Sequence, residues 1–216
     1  MGGSWNTSER TNGLYSVLSL APVYSLAQRA IGAERVRQFL VSDVIRPEPG
    51  ERVLDIGSGT SDILDHLGEG VDYIGLEPSA SYVARAKSRY RGRGEFVEGS
   101  VESFDGRGVT ERTLALAVGV LHHLDDDSAD NLLGLASRSL AADGRFISID
   151  CTFVTGQSRL ARWIVSQDRG QYVRSPERME EMVCRHFADV TIIVRHDLLR
   201  VPYSHVVVRA RGRVER

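Results

Sequence analysis

Cysteine and lysine are scarce in this sequence, and it has no long apolar run. Cys151 and Cys184 are the only cysteines, with no metal-type spacing around them, so neither a disulfide framework nor a zinc site is predicted. Lys87 is the only lysine among 27 basic residues. No apolar stretch approaches the length of a membrane span, and the amino terminus lacks a basic segment followed by a hydrophobic core. We therefore expect a soluble, cytoplasmic protein with no membrane partner.

Neither sign of charge is in large excess. The formal net charge is −2 over 216 residues, which gives no bulk attraction to nucleic acid. The charges are unevenly placed, since residues 1–150 carry 15 basic and 22 acidic side chains and residues 151–216 carry 12 and 7. The basic part indicates an anion-receiving half, although a solvated surface without function explains the same pattern. A chain of this length is expected to form one domain around one substantial core.

The most informative stretch runs from Val53 to Asp62. Apolar, β-favouring residues lead into Gly57 and Gly59, which permit backbone conformations and close approaches that a Cβ would forbid. The Thr-Ser-Asp run that follows offers helix-capping oxygens. A buried strand that enters a helix through such a turn forms a ligand pocket at the carboxyl end of a sheet. An ordinary tight turn between a strand and a helix is the alternative, because so short a motif recurs by chance.

A second signal lies 18 residues beyond Gly59. Residues 72–77 are typical of a strand that ends in Glu77. This is the position at which a carboxylate accepts both ribose hydroxyls of a nucleotide cofactor, one on each oxygen. The dinucleotide fingerprint is incomplete, because its third glycine would fall at Asp62.

These residues resemble the first motifs of class I S-adenosylmethionine (SAM) dependent methyltransferases. The resemblance implies that the glycine turn cradles the methionine end of SAM and that Asp55 steers its ammonium group, directly or through water. After the third strand the family usually carries an Asp that receives the adenine amino group. This chain has Ser100 there, and a hydroxyl can accept the same hydrogen bond. The cofactor-binding residues implied are Asp55, Gly57, Ser58, Gly59, Glu77, Pro78, Ser100, Val101 and Gly119.

Two histidines follow the apolar run of residues 114–121, which predicts a strand buried on both faces. The Leu-His-His-Leu segment resembles the fourth motif of small-molecule methyltransferases, and the Asn/Asp-Pro-Pro-aromatic motif of amino-methylating DNA and glutamine enzymes is absent. Methyl transfer to a hydroxyl needs a base, and histidine suits that role near neutral pH. We predict that His123 is the catalytic base, because strand alternation would point it to the pocket, with His122 as the second candidate. No metal site is expected, because adjacent histidines on an extended segment point apart.

The flanking segments are predicted to cover the acceptor. Residues 1–12 are expected to be flexible and 13–216 to form a single methyltransferase domain, with a helical cap at 13–46 and a lid-like helix at 156–170. By the resemblance, the amino-terminal helices lie over the SAM pocket, so Tyr15 and Tyr24 are candidate acceptor contacts. Arginines bind phosphate and carboxylate through paired hydrogen bonds, which favours an anionic small-molecule acceptor at Arg159, Arg169 and Arg174. Solvent-exposed arginine on amphipathic helices is the alternative.

The order of the elements predicts the fold. Strands and helices alternate up to Asp150, and two further strands then close the sheet. We expect an α/β protein, a Rossmann-like three-layer sandwich with a seven-stranded, mostly parallel sheet and an antiparallel final strand. The predicted function is SAM-dependent methyl transfer to oxygen, with carbon and nitrogen as alternatives. A catalytically silent SAM-binding subunit or regulator is the second hypothesis and a nucleotide-dependent oxidoreductase the third. A homodimer is compatible with each.

Overall fold

The protein is built around a seven-stranded sheet. The computed structural model describes residues 33–104, 109–167 and 170–214. The strands are β1 (Arg52–Ile56), β2 (Asp72–Glu77), β3 (Glu95–Glu98), β4 (Arg112–Val118), β5 (Leu140–Cys151), β6 (Phe187–Arg195) and β7 (His205–Arg213). Their order across the sheet is β3-β2-β1-β4-β5-β7-β6. Strands β1 to β5 pair in parallel, and β7 runs antiparallel to both β5 and β6. The predicted sheet and its antiparallel final strand are confirmed.

Helices cover both faces of this sheet. They are α1 (Ala33–Phe39), which continues into a π-helical turn (Leu40–Ile45), α2 (Ala80–Arg89), α3 (Asp126–Ser139), α4 (Arg159–Ser166) and α5 (Pro176–Val183). Apolar residues of α3 and α5 pack with Leu54 and Ile56 on one face. The π-helical turn and α2 pack with Val53 on the other face. Because neighbouring strand residues point to opposite faces, β1 contributes to both cores and lies at the centre of the three layers.

The segment after the glycine turn is shorter than an ordinary helix. The sequence predicts that β1 enters a helix there, but the structure has a short 3-10 helix, Asp62–Asp65. Gly68 and Gly70 adopt positive φ angles of 82° and 79°, which leaves too few residues for a full α-helix after the turn. Strand β5 begins at Leu140, which pairs with Arg112 ahead of an irregularity in the register.

The carboxyl ends of β1, β2 and β4 meet at one edge of the sheet. The strand order reverses direction between β1 and β4, and such a switch point leaves a crevice for a ligand in open α/β sheets. The glycine turn follows β1, Glu77 ends β2 and the two histidines follow β4. The topology therefore gathers the predicted site residues at one crevice. Across the described ranges, no helix has both the length and the apolar character to cross a membrane.

Candidate active site at the carboxyl edge of the sheet

The turn after β1 is held against the neighbouring strands by its backbone. The N–H groups of Gly57 and Ser58 both donate to the carbonyl oxygen of Leu76, at 2.7 and 3.1 Å. Gly57 has φ +74°, and a Cβ there would lie 2.6 Å from the side chain of Val120. Both a left-handed conformation and a close approach therefore require glycine at this position. The Ser58 side chain packs over Gly75, where a Cβ would lie 2.7 Å from the hydroxyl oxygen, so Ser58 faces the sheet.

Glu77 is buried at the end of β2, with both carboxylate oxygens fixed by backbone N–H groups. Gly59 donates to Oε2 at 3.0 Å and Ser79 donates to Oε1 at 2.9 Å. Burial raises the pKa of Glu77, while these two hydrogen bonds oppose the rise. A carboxylate offers about four lone-pair positions, so two remain for other donors. This arrangement suits a pair of ligand hydroxyls next to the glycine turn.

Asp55 lies one strand away and is 2% exposed. Its Oδ2 accepts a hydrogen bond from the Tyr73 hydroxyl at 2.6 Å. Within the part of the chain that the structure describes, its buried Oδ1 has no hydrogen-bond partner. Burial raises the pKa of Asp55 to about 7, the Tyr73 hydrogen bond lowers it and the charge of Glu77 raises it further. A cationic group at Oδ1 would relieve this penalty, so the residue fits the ammonium role implied by the resemblance.

The predicted adenine contacts lie in a short turn after β3. Ser100 makes a local network with Ser103, whose side-chain oxygen accepts from the Ser100 N–H at 2.8 Å. The two hydroxyls are 3.3 Å apart. Val101 is buried beneath this turn, whereas Pro78, after β2, is exposed. The Ser100 hydroxyl is thus already engaged within its own turn, and its contact with an adenine ring stays a prediction.

The two histidines do not continue β4. They lie in a 3-10 helix, Leu121–His123, and their ring centroids are 4.1 Å apart. The premise that they point to opposite sides of an extended segment is therefore wrong, and so is the reason for choosing His123. His122 is buried, and its Nδ1 lies 2.7 Å from Oδ1 of Asp150 at the end of β5. Gly119, at φ +67°, borders the His122 ring, with a Cβ position 3.9 Å from Cε1.

Arg174 is engaged inside the fold, whereas an acceptor contact was predicted for it. Its guanidinium donates to Asp126 through Nε and Nη2 and to the carbonyl oxygens of Leu121, Tyr172 and Leu124. These five hydrogen bonds use all five N–H donors of an arginine. The residue is 7% exposed and ties the loop after β4 to the segment before α5. The sequence could not distinguish this internal role from ligand binding, because the acceptors are backbone atoms distant along the chain.

Arg159 begins α4 and is exposed. It lines a cavity of about 380 Å³ together with Phe153, Arg162, Trp163 and Ser166. Arg159 is therefore available to a ligand, and its substrate role stays a prediction. Tyr15, Tyr24 and Arg169 lie outside the described residues, as does most of the predicted cap.

Two residues of the candidate site were not predicted from the sequence. Tyr73 pairs with Asp55, and Asp150 pairs with His122. Each pair contains a carboxylate in an otherwise apolar strand, Asp55 in β1 and Asp150 in β5. Because a buried acid requires a hydrogen-bond partner, these two positions were the signal from which a partner could have been predicted. Among the described residues, no group of three or more histidine, cysteine or acidic side chains could hold a metal ion.

Comparison with protein families places the glycine turn within a known domain. Residues 53–144 match the model of a methyltransferase-domain family. This range contains the glycine turn, Glu77 and both histidines. No curated protein matches the chain significantly.

Solved structures share the fold at low sequence identity. The pyocyanin biosynthetic protein PhzM is 16% identical with a TM-score of 0.70, and the alignment covers 92% of this chain and 62% of PhzM. Phosphoethanolamine N-methyltransferase 2 from Haemonchus contortus is 15% identical with a TM-score of 0.68, covering 92% and 59%. The mitomycin 7-O-methyltransferase MmcR is 16% identical with a TM-score of 0.65, covering 94% and 62%. This chain thus spans about three fifths of each of those proteins.

The family match and the fold agree with the site geometry. The matched range supplies β1 to β4, and the described sheet has the strand order and antiparallel β7 expected for this class. Residues 53–144 thus match a methyltransferase-domain family, and the chain has the fold of the class I SAM-dependent methyltransferases.

Proposed function

We propose that the protein transfers a methyl group from SAM to a small-molecule acceptor. The observation that carries this proposal is the Glu77 carboxylate, held beside Gly59 with two lone-pair positions that the described residues leave unused. A nucleoside cofactor supplies two vicinal ribose hydroxyls that suit those positions. The methyltransferase-domain match over the same residues supports SAM as that cofactor.

The residues around the turn fit the rest of SAM. The backbone at Gly57 to Gly59 would hold the methionine end. The ammonium group would pair with Oδ1 of Asp55, which has no hydrogen-bond partner among the described residues. Ser100 and Val101 would hold the adenine, and Gly119 would lie beside the sulfonium. SAM, when bound, supplies an activated methyl group.

The protein supplies alignment and a base. For an oxygen acceptor, the hydroxyl proton passes to an imidazole of the His122–His123 pair as the oxygen forms its bond to the methyl carbon. With SAM bound, the bond between that carbon and sulfur would break at the same time, and its electron pair would stay on sulfur to give S-adenosylhomocysteine. Oxygen is the favoured acceptor atom because a histidine borders the crevice, and carbon and nitrogen are the alternatives.

The proposed acceptor is anionic. With Arg174 committed inside the fold, this part rests on Arg159 and Arg162, which line one cavity beside α4. Replacing Arg159 with alanine should raise the KM for an anionic acceptor about tenfold, since a hydrogen bond to a charged group contributes about 1.5–3 kcal/mol. Arg185→Ala removes a half-exposed arginine outside that cavity and is the matched control. Equal KM values for the two variants would remove the anionic acceptor from the proposal.

A second candidate function is a SAM-binding subunit without catalysis. Ser100 in place of the usual acid, already bonded to Ser103, is the observation that favours it. Titration calorimetry with SAM and with nicotinamide dinucleotides tests cofactor choice, and we expect heat only with SAM. Incubation with methyl-labelled SAM and a panel of hydroxylated small molecules tests catalysis. Labelled product should form in equal amount to S-adenosylhomocysteine, whereas binding without product would support the silent subunit.

A further inference from the structure

We infer that the cavity beside α4 receives a planar aromatic ring that carries an anionic group. The inference rests on the proposed function, because it names the chemical class of the acceptor which that function requires. The cavity has a volume of about 380 Å³, and the described residues that line it are Phe153, Arg159, Arg162, Trp163 and Ser166. Small-molecule pockets in proteins usually measure about 300–1,000 Å³, so this space suits one ring with its substituents.

One face of α4 forms most of the cavity wall. Four of its side chains line the cavity at the spacing i, i+3, i+4 and i+7, which places them on the same face of a helix: Arg159, Arg162, Trp163 and Ser166. The helix buries Ala161 and Val165, and Val165 packs with Cys151 at the end of β5. Because α4 is anchored at the end of β5, the cavity lies at the carboxyl edge of the sheet, as the crevice does.

Trp163 exposes an unusually large aromatic surface. The residue is 60% exposed, whereas tryptophan is highly buried on average in folded proteins. Contact of so much apolar surface with water is unfavourable, and a flat ligand ring that stacked on the indole would remove part of it. Phe153 supplies a second aromatic side chain, from the segment that follows β5. Aromatic surface therefore reaches the cavity from two segments of the chain.

The same cavity has positive charge that acidic side chains do not neutralise. Arg159 and Arg162 form no ion pair within the ranges that the structure describes. The Arg162 guanidinium lies over the Phe153 ring, with 4.9 Å from its central carbon to the ring centroid, so this charge stays beside an aromatic surface. A ligand carboxylate could accept paired hydrogen bonds from Arg159. Two aromatic side chains and two cations in one cavity suit a ligand that has both a flat ring and a negative charge.

Three probes of similar size test this assignment on the full chain. Benzoate has an aromatic ring and a negative charge, cyclohexanecarboxylate keeps the charge without the aromatic ring, and benzamide keeps the ring without the charge. Trp5 is the only other tryptophan, so a Trp5→Phe variant leaves the indole N–H of Trp163 as a single nitrogen NMR signal. Titration of each probe against that signal gives its Kd at this cavity without any methyl transfer.

Benzoate should bind most tightly of the three. We expect the Kd of cyclohexanecarboxylate to be about two- to tenfold higher, because it cannot stack as an aromatic ring does. The Kd of benzamide should be about tenfold or more higher, because it has no charge for the arginines. Arg159→Ala should raise the Kd of benzoate and leave that of benzamide nearly unchanged.

Leu160→Ala is the matched control for these titrations. Leu160 is 54% exposed on the same helix but does not line the cavity, so its substitution should leave all three Kd values unchanged. Equal Kd values for benzoate and cyclohexanecarboxylate would overturn the inference. So would a Trp163 signal that does not move with benzoate.

Methyl transfer separates this inference from the proposed function. Hydroxybenzoates and hydroxycyclohexanecarboxylates are compared as acceptors with methyl-labelled SAM, in Trp163→Leu and in Leu160→Ala. The aromatic acceptors should have a kcat/KM about threefold or more higher, and only Trp163→Leu should remove that preference, by raising their KM. Equal kcat/KM values for saturated and aromatic acceptors would contradict the inference and leave the proposed function intact. Benzoate bound at Trp163 with no labelled product from any acceptor would contradict the proposed function and leave the ligand class of the cavity established.

Discussion

The two sides of the crevice hold their carboxylates in opposite ways. Beside the glycine turn, burial raises the pKa of both Asp55 and Glu77. The hydrogen bonds that oppose this rise come from neutral groups, namely the Tyr73 hydroxyl for Asp55 and the backbone N–H groups of Ser79 and Gly59 for Glu77. Beside the histidine loop, hydrogen bonds from Arg178 and Arg174 lower the pKa of Asp126. The first side has negative charge that a ligand could stabilise, whereas the second side has charge that the protein already stabilises. Ligand binding is therefore expected beside the glycine turn, and structural support beside the histidine loop.

The largest expected effect is the pH dependence contributed by Asp55. Its pKa is raised from 3.8 to about 7, so the folded protein favours the neutral carboxyl. The stabilising contribution of that neutral form is complete below pH 4 and is lost as the pH rises through 7. At 1.36 kcal/mol per pKa unit the loss amounts to at most about 4 kcal/mol. Asp55→Asn should abolish this decline between pH 4 and pH 8, as measured by urea unfolding without cofactor. A decline of equal size in both proteins would show that Asp55 does not cause it.

Substitution of Arg174 tests how much its hydrogen bonds stabilise the histidine side of the crevice. Arg174→Ala leaves the buried carbonyl oxygens of Leu121 and Leu124 without this donor, whereas Asp126 keeps its hydrogen bond from Arg178. We expect a loss of about 3 kcal/mol in the free energy of unfolding. Arg159→Ala is the control, since an exposed arginine should change stability by no more than about 0.5 kcal/mol. Similar losses in the two variants would show that the hydrogen bonds of Arg174 contribute little.

Glu77→Gln should weaken SAM binding without unfolding the protein. Hydrogen bonds to a charged group contribute about 1.5–3 kcal/mol, so the Kd should rise between about 10-fold and 100-fold. Glu98→Gln replaces an exposed acid at the end of the next strand and should leave the Kd unchanged. Calorimetry with SAM measures the Kd of both variants. Equal Kd values for the unsubstituted protein, Glu77→Gln and Glu98→Gln would exclude a ribose contact at Glu77.

The smallest expected effect is at Ser100. A neutral hydrogen bond contributes about 0.5–1.5 kcal/mol, so Ser100→Ala should raise the Kd for SAM by no more than about tenfold. Ser103→Ala removes the partner hydroxyl and leaves Ser100 in place, so it should change the Kd less. If Ser100→Ala weakened SAM binding as much as Glu77→Gln, the adenine contacts would contribute as much to SAM affinity as the ribose contact.

Local patterns predicted the glycine turn after β1 and the acid at the end of β2. The Gly-x-Gly spacing and the acid 18 residues later are short-range features. In the structure, the Gly59 N–H donates a hydrogen bond to the Glu77 carboxylate. Buried strands also produced clear apolar runs, so the sheet could be predicted from composition and order. The segment after the turn forms only a 3-10 helix, because Gly68 and Gly70 adopt positive φ angles and interrupt it.

The histidine side depends on contacts between distant residues. Asp150 lies 28 positions from His122, and Arg174 lies 53 positions from Leu121. No local spacing shows whether an arginine meets carbonyl oxygens of its own chain or a ligand. The strand alternation assumed for His123 failed because β4 ends at Val118 and a 3-10 helix begins at Leu121.

The most direct test of the account is a crystal structure with S-adenosylhomocysteine bound. We expect both ribose hydroxyls within about 3.2 Å of the Glu77 carboxylate oxygens, a hydrogen-bonding distance, with the amino acid end beside Gly57. A nucleoside bound elsewhere, or Glu77 turned away from the ribose, would contradict the account.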